Sequence, residues 1–124
     1  MRGEPEDTIY TLIERWREGD VEGYLNCFAG PARGRLEATA KEMGREEFSN
    51  FLFETSRRVL GVAVERLHLS EGVARLRVEF VFKEGNEVQL VALRKIRGRW
   101  LIVEMGPKKY RRMPFPYGTK VTVP

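Results

Sequence analysis

The apolar positions change period once along the chain. Between Pro5 and Glu18, Ile9, Leu12, Ile13 and Trp16 recur at helical spacing and predict an amphipathic helix with one buried stripe. Pro5 suits a first turn, Glu6 and Asp7 favour the positive end of the helix dipole, and Gly19 reads as the stop. Asp20 can cap a short second helix, in which Val21, Tyr24, Leu25 and Phe28 repeat the spacing before Gly30 and Pro31 end it. A third helical region runs from about Arg33 to Met43, with Gly44 as punctuation. A fourth, REEFSNFLFETSRRVLG, takes Phe48, Phe51, Leu52 and Val59 as its buried stripe. Phe53 and Leu60 widen that stripe, so this helix is expected to be covered on more than one side.

From Val62 the period is two. VAVERLHLS, VARLRVEFVFK, EVQLVALRKIR and RWLIVEM read as four strands, joined by short links at Ser70-Glu71-Gly72, Glu84-Gly85-Asn86 and Arg97-Gly98. Short glycine-containing links between alternating runs predict consecutive hairpins. The fold class is therefore α+β: N-terminal helices packed on an antiparallel meander sheet of four or more strands. On strand two the alternation sets Ala74, Leu76, Val78, Phe80 and Phe82 inward, and on strand three Val88, Leu90 and Ala92 are expected beside them. Val73, Val81, Val91 and Leu93 then leave the outer face apolar, with Leu101 and Val103 as further members. A fully solvated face would alternate more cleanly. A homodimer packed through the sheet is expected.

The opening PEDTIYTLIERWREGDVEGYLNCF, the hairpin VARLRVEFVFKEGNEVQLVALRK and the closing GRWLIVEM together resemble the nuclear transport factor 2-like superfamily. The similarity is greatest to its small bacterial members of unknown function and spans about Pro5 to Met105. The resemblance implies a curved, cystatin-like sheet wrapped around helices as a cone with an apolar pocket. It also implies a range of activities, from ketosteroid isomerase-like, cyclase-like and dehydratase enzymes to ligand-binding modules and transport adaptors. The chain departs from many of the enzymes in having no clear strand pair between its second and third helical regions.

The chain has 124 residues, 42% of them apolar and 32% charged, which fits one packed domain. Residues 1–106 are expected to form that domain and residues 107–124 a basic, proline-rich arm. No apolar run approaches the roughly 18–20 residues of a bilayer helix, and no signal peptide is read at the start. The expected localisation is cytoplasmic, with an exported or membrane-anchored parent protein as the alternative. The net charge of +4 hides an asymmetry. Residues 1–62 carry nine basic and twelve acidic side chains, and residues 63–124 thirteen basic and six acidic.

One Cys and one His do not fill a tetrahedral metal site, no Ser–His–Asp set can be assembled, and no phosphate loop is present. No metal and no cofactor are expected. An isomerase- or dehydratase-type reaction needs a carboxylate or His base inside the cone and a donor for the oxyanion. Asp7 and Asp20, the only aspartates, are explained by capping. The remaining base candidates are His68 and Glu104. A three-residue turn after Leu69 pairs His68 with Ala74 and points it inward. A two-residue turn at Glu71-Gly72 points it outward and buries Leu67 and Leu69, and we favour the second. With Trp100 inward, as the resemblance implies, Ile102 and Glu104 share its face. A three-residue link at Arg97-Gly98-Arg99 then brings Arg94 near Glu104 as an inward pair. Tyr10, Tyr24, Trp16, Arg94 and Trp100 are the ligand-binding candidates. Cys27 is expected to be a small buried apolar residue.

Three functions follow. The first is a non-enzymatic domain holding a small apolar or amphipathic ligand, or a partner, between helices and sheet. The second is an isomerase-, cyclase- or dehydratase-like enzyme using His68 or Glu104. The third is an adaptor that binds nucleic acid or another anionic partner through the basic arm, since nine basic residues and one acid lie between Arg94 and Lys120.

Overall fold

A computed structural model describes residues 3–107. Four helices, α1 (Pro5–Glu18), α2 (Val21–Leu25), α3 (Gly30–Met43) and α4 (Arg45–Ser56), precede four strands. These are β1 (Val59–Ser70), β2 (Val73–Phe82), β3 (Gly85–Ile96) and β4 (Arg99–Pro107), in the order β1-β2-β3-β4 with every neighbour antiparallel. The expected α+β meander is the observed one. Of the arm expected at residues 107–124, Pro107 is the last residue of β4, and residues 108–124 lie outside the described residues. Among the described residues no helix is long and apolar enough to cross a membrane.

The helix termini follow local chemistry. Glu4 and Asp7 form a reciprocal capping box at the start of α1. The Asp20 side chain accepts from the Gly23 N–H at 3.0 Å and caps α2. Gly19 ends α1 at φ 67, where its carbonyl accepts from Ser49 Oγ at 2.6 Å. A Cβ at Gly19 would lie 2.9 Å from that hydroxyl, so glycine also permits the close approach of α1 and α4.

Two boundaries differ from expectation. Pro31 opens α3 instead of closing α2, because proline is tolerated in a first turn where its missing N–H costs nothing. The strand region begins at Val59: buried and β-branched, Val59 pairs with Phe82 as the first residue of β1. Leu60 follows at the irregularity in that pairing and is 66% exposed, and Phe53 is also exposed. Neither widens a buried stripe.

The core has two parts. Ile9, Leu12 and Ile13 of α1 pack with Ala74, Leu76, Val78 and Phe80 of β2 and with Val91, Leu93, Trp100 and Ile102. Between the helices lies a second cluster of Val21, Leu25, Ala40, Phe48 and Leu52.

Arg66 ties the two layers at one edge. Its guanidinium donates to Glu6 Oε2 and Oε1 and to Glu4 Oε1, each at 2.7 Å. These hydrogen bonds hold the Glu6 carboxyl below its ordinary value of 4.5. Folding therefore releases a proton from Glu6 as pH drops toward that value. The resulting stability is complete above 4.5 and is lost as pH falls through the lower folded value. The urea midpoint of Arg66→Met should lie below that of the parent at neutral pH, and the gap should close progressively below pH 4.5. A gap that stays constant across this range would show that Arg66 acts through packing alone.

Candidate functional site

The turn between β2 and β3 decides which groups enter the interior. Phe82 pairs with Gly85, so the connecting turn is Lys83-Glu84 and Gly85 is already in the strand. Relative to the three-residue link expected there, β3 is moved by one position, which exchanges its faces. Val91 and Leu93 are buried opposite Leu76 and Ala74, and Glu87 and Gln89 follow them on the helix-facing side. Val88, Leu90 and Ala92 lie on the convex side, contrary to expectation. Gly85 sits at φ 150, a conformation that residues with a Cβ rarely take, which fixes glycine at this first strand position.

A cavity of about 290 Å³ lies between the helices and the concave face of the sheet. Its apolar wall comes from Leu12 and Trp16 of α1, Phe28, Ala32 and Leu36, Phe80 and Phe82 of β2, and Met105 of β4. Its polar groups are Tyr24, Arg35, Thr39, Glu87 and Gln89. Arg35, Thr39 and Glu87 are exposed and form the rim, whereas Tyr24 and Gln89 are partly buried. Trp16 is held by its indole N–H, which donates to Thr55 Oγ1 at 2.9 Å, and its ring meets Phe80 edge-on. Gln89 Nε2 donates to Glu87 Oε2 at 3.1 Å.

Tyr24 packs against Phe28 and Phe48. Burial pushes its phenol up to about 12, so it stays neutral at any working pH and acts as a hydrogen-bond donor. Its hydroxyl makes no hydrogen bond to any described residue. A hydroxyl on the wall of a pocket takes its partner from what fills the pocket, solvent or a bound ligand. Neither Gln89, Glu87, Arg35 nor Thr39 was among the candidates read from the sequence. The β3 pair was missed because the register was one residue off. The α3 pair carried no signal beyond an ordinary exposed helix face.

The predicted candidates are distributed over three places. Tyr24 and Trp16 line the cavity. Tyr10 and Trp100 lie together on a separate open groove with Asp7, Thr11, Glu14 and Arg99. There Trp100 is buried as expected, but its polar groups are used structurally: Nε1 donates to the Gly3 carbonyl at 3.0 Å, and its own carbonyl accepts from Thr8 Oγ1 at 2.7 Å.

His68, Arg94 and Glu104 are on the convex face, exposed to solvent. The Glu71-Gly72 turn pairs Ser70 with Val73, and His68 lies opposite Arg75 with its Nε2 3.1 Å from Ser70 Oγ. The outward reading of His68 is the observed one, although its stated reason is corrected. Leu67 is exposed at the bulge between Arg66 and His68, and Leu69 shares the face of Ala74 beyond the cover of the helices. The inward placement of Arg94 and Glu104 is also corrected. The β3–β4 link has two residues, Arg97 at φ 53 and Gly98 at φ 80, as a tight primed hairpin turn requires. Lys95 therefore pairs with Trp100 and Arg94 with Leu101. A bulge at Val103 then sets Glu104 opposite Ala92, on the convex side. Neither His68 nor Glu104 reaches the cavity, and its one lining carboxylate among the described residues, Glu87, sits at the rim.

Cys27 is buried, and burial pushes its thiol up to about 11. It should react with a soluble disulfide reagent only as fast as the protein unfolds. Rapid modification in the absence of denaturant would show that the α2–β4 junction opens. Among the described residues no group of three or more His, Cys, Asp or Glu side chains is placed to hold a metal ion.

Comparison with known proteins supports the fold. An NTF2-like protein of Campylobacter jejuni, described as a transpeptidase candidate, superimposes with a TM-score of 0.57 at 16% identity, covering 82% of this chain and 98% of its own. An NTF2-like protein of unknown function from Shewanella oneidensis gives 0.51 at 18% identity, covering 82% and 97%. No family model matches the sequence, and no curated protein matches it. The chain has the nuclear transport factor 2-like fold, and identities this low carry no activity from one protein to another.

Proposed function

We propose that the domain binds a small amphipathic molecule in the cavity between its helices and the concave face of its sheet. The observation that carries this reading is the partly buried Tyr24 side chain, which packs against Phe28 and Phe48 in the cavity wall and whose hydroxyl makes no hydrogen bond to any described residue. Phe28, Phe80, Phe82 and Leu36 take the apolar body of the ligand. Tyr24 and Gln89 meet a hydroxyl or carbonyl, and Arg35 meets a charge carried at the rim. A volume of about 290 Å³ stands at the lower end of the roughly 300–1,000 Å³ range of small-molecule sites, which suits a one- or two-ring molecule. Acid–base chemistry through His68 or Glu104 has no geometric support, since both side chains leave the opposite face of the sheet.

Naphthol and naphthalene sulfonate are suitable probes for calorimetry. At roughly 0.5 kcal/mol per heavy atom, naphthol should bind with a Kd on the order of 0.1 mM and the larger naphthalene sulfonate with one on the order of 0.01 mM. Tyr24→Phe should weaken naphthol about fivefold by removing the donor. Arg35→Glu should weaken the sulfonate and leave naphthol unchanged. No heat with either probe, or equal binding by all variants, would refute the reading.

A second reading concerns the convex face, and we propose that it pairs with a second copy of the chain. Leu67, Leu90 and Ile96 are 50%, 36% and 37% exposed on the sheet. Around them Arg75, Arg77 and Arg94 alternate with Glu65, Glu79 and Glu104, the mixture of signs that a two-fold contact with itself requires. Light scattering at micromolar concentration should give twice the 14.4 kDa chain mass. A monomer mass would exclude the pairing. The basic-arm adaptor reading rests on residues from Lys108 onward, which lie outside the described residues.

A further inference from the structure

The cavity rim carries one charge of each sign, on opposite layers of the fold. Arg35 comes from α3, where Ala32, Leu36 and Thr39 line the same space at helical spacing and set it on the stripe that faces the sheet. Glu87 comes from β3, directly opposite Phe80 of the aromatic wall. Both side chains are exposed, and among the described residues neither enters an ion pair, with the other or with a third group. The Glu87 carboxylate is nevertheless held in place. Its Oε2 accepts from Gln89 Nε2 at 3.1 Å, and its Oε1 makes no hydrogen bond to a described residue. A ligand of one sign would satisfy one of these groups and be repelled by the other, whereas a ligand carrying both signs satisfies both. A carboxylate suits the planar guanidinium of Arg35. An ammonium suits Glu87, and it gains further from an aromatic wall, because ring faces attract cations.

We propose that the ligand is an aromatic α-amino acid, with its ring in the cavity, its carboxylate on Arg35 and its ammonium on Glu87. The inference rests on the reading of the cavity as a binding site. It adds the chemical class of the ligand and a role for Glu87, which selects a cationic group beside the anionic one. Gln89 is then a positioning residue that acts through the Glu87 carboxylate.

The test is calorimetry of the full chain with four indoles at neutral pH. The probe 3-methylindole presents the ring alone, tryptamine adds the ammonium, indole-3-propionate adds the carboxylate, and tryptophan carries both. Tryptophan should bind about fivefold tighter than any of the other three, the size of an ion-pair contribution at an exposed rim. Glu87→Gln keeps an acceptor for Gln89 and should weaken tryptophan and tryptamine about fivefold, without weakening indole-3-propionate. Arg35→Gln should weaken tryptophan and indole-3-propionate by a similar factor, without weakening tryptamine. Retained binding of 3-methylindole shows in each variant that the fold and the cavity are intact. If 3-methylindole binds and tryptophan binds no tighter, the amino-acid assignment is overturned and the cavity reading stands. Unchanged tryptophan binding by Glu87→Gln overturns the assignment equally, because Glu87 is then only a solvated rim charge. If none of the four indoles binds, the cavity reading itself fails and the assignment falls with it.

Discussion

Leu76→Ala is expected to cost about 3–4 kcal/mol and to lower the urea midpoint by roughly 2 M, whereas the same substitution at Leu90 should cost under about 1 kcal/mol. The two leucines stand on neighbouring strands and differ in which face of the sheet they occupy. Leu76 is fully buried on the second strand, opposite Val91, with the first helix packed over it. Removing its side chain leaves a hole that close-packed neighbours fill only in part, so the cavity adds to the lost transfer energy. Leu90 is 36% exposed on the convex face and leaves no such hole. A loss of 3–4 kcal/mol is a large fraction of the roughly 5–15 kcal/mol that holds a domain folded. Urea denaturation of both variants at low protein concentration checks the register as well as the energetics. Equal losses, or a larger loss at Leu90, would mean that the third strand presents its other face.

Ala32→Trp is expected to weaken binding of the naphthyl probes about 100-fold. Ala32 is buried in the wall of the cavity, on the third helix, and Phe80 lines the same space. An indole placed there occupies the space a ligand ring would take. Displacing about 110 Å² of apolar ligand contact, at about 25 cal/mol per Å², corresponds to about 2.7 kcal/mol and hence about 100-fold in affinity. The protein itself should lose at most about 1–3 kcal/mol, the ordinary range for overpacking, because the space being filled is empty of side chains. Calorimetric titration beside a urea curve separates the two effects. Full probe binding by a folded Ala32→Trp protein would place the ligand elsewhere.

The architecture was legible because each element carries a redundant signal. Pro5, Asp20 and Gly19 mark helix ends through capping and dihedral chemistry, and the change of period read at Val62 separates the helical layer from the sheet to within three residues of the start of β1 at Val59. Site residues were harder to read for a physical reason. Their side chains alternate with period two, so one residue of error in a turn exchanges the two faces of a strand. EGNE in the second hairpin suggests a glycine-centred turn, yet the turn is Lys83-Glu84 and the glycine begins the strand. That single residue moves Gln89 and Glu87 to the cavity and Leu90 to the convex face. The last strand shows the same effect. Arg97-Gly98 forms the turn alone, and the bulge at Val103 is written in no local preference, so Glu104 and Arg94 are found outside. Tyr24 and Trp16, which line the cavity, were legible as members of buried helical stripes because the apolar spacing itself sets a helix's buried face, wherever its ends fall.

The central claim is that ligands enter the space between the helices and the concave face. The most direct measurement is methyl chemical-shift mapping of the full chain during titration with naphthol. The account predicts that the methyls of Leu12, Leu36 and Met105, which line the cavity, shift in a saturable way, while those of Leu67, Leu90 and Leu101 on the sheet's other side stay in place. Saturable shifts confined to Leu67, Leu90 and Leu101, with the cavity methyls unmoved, would contradict it.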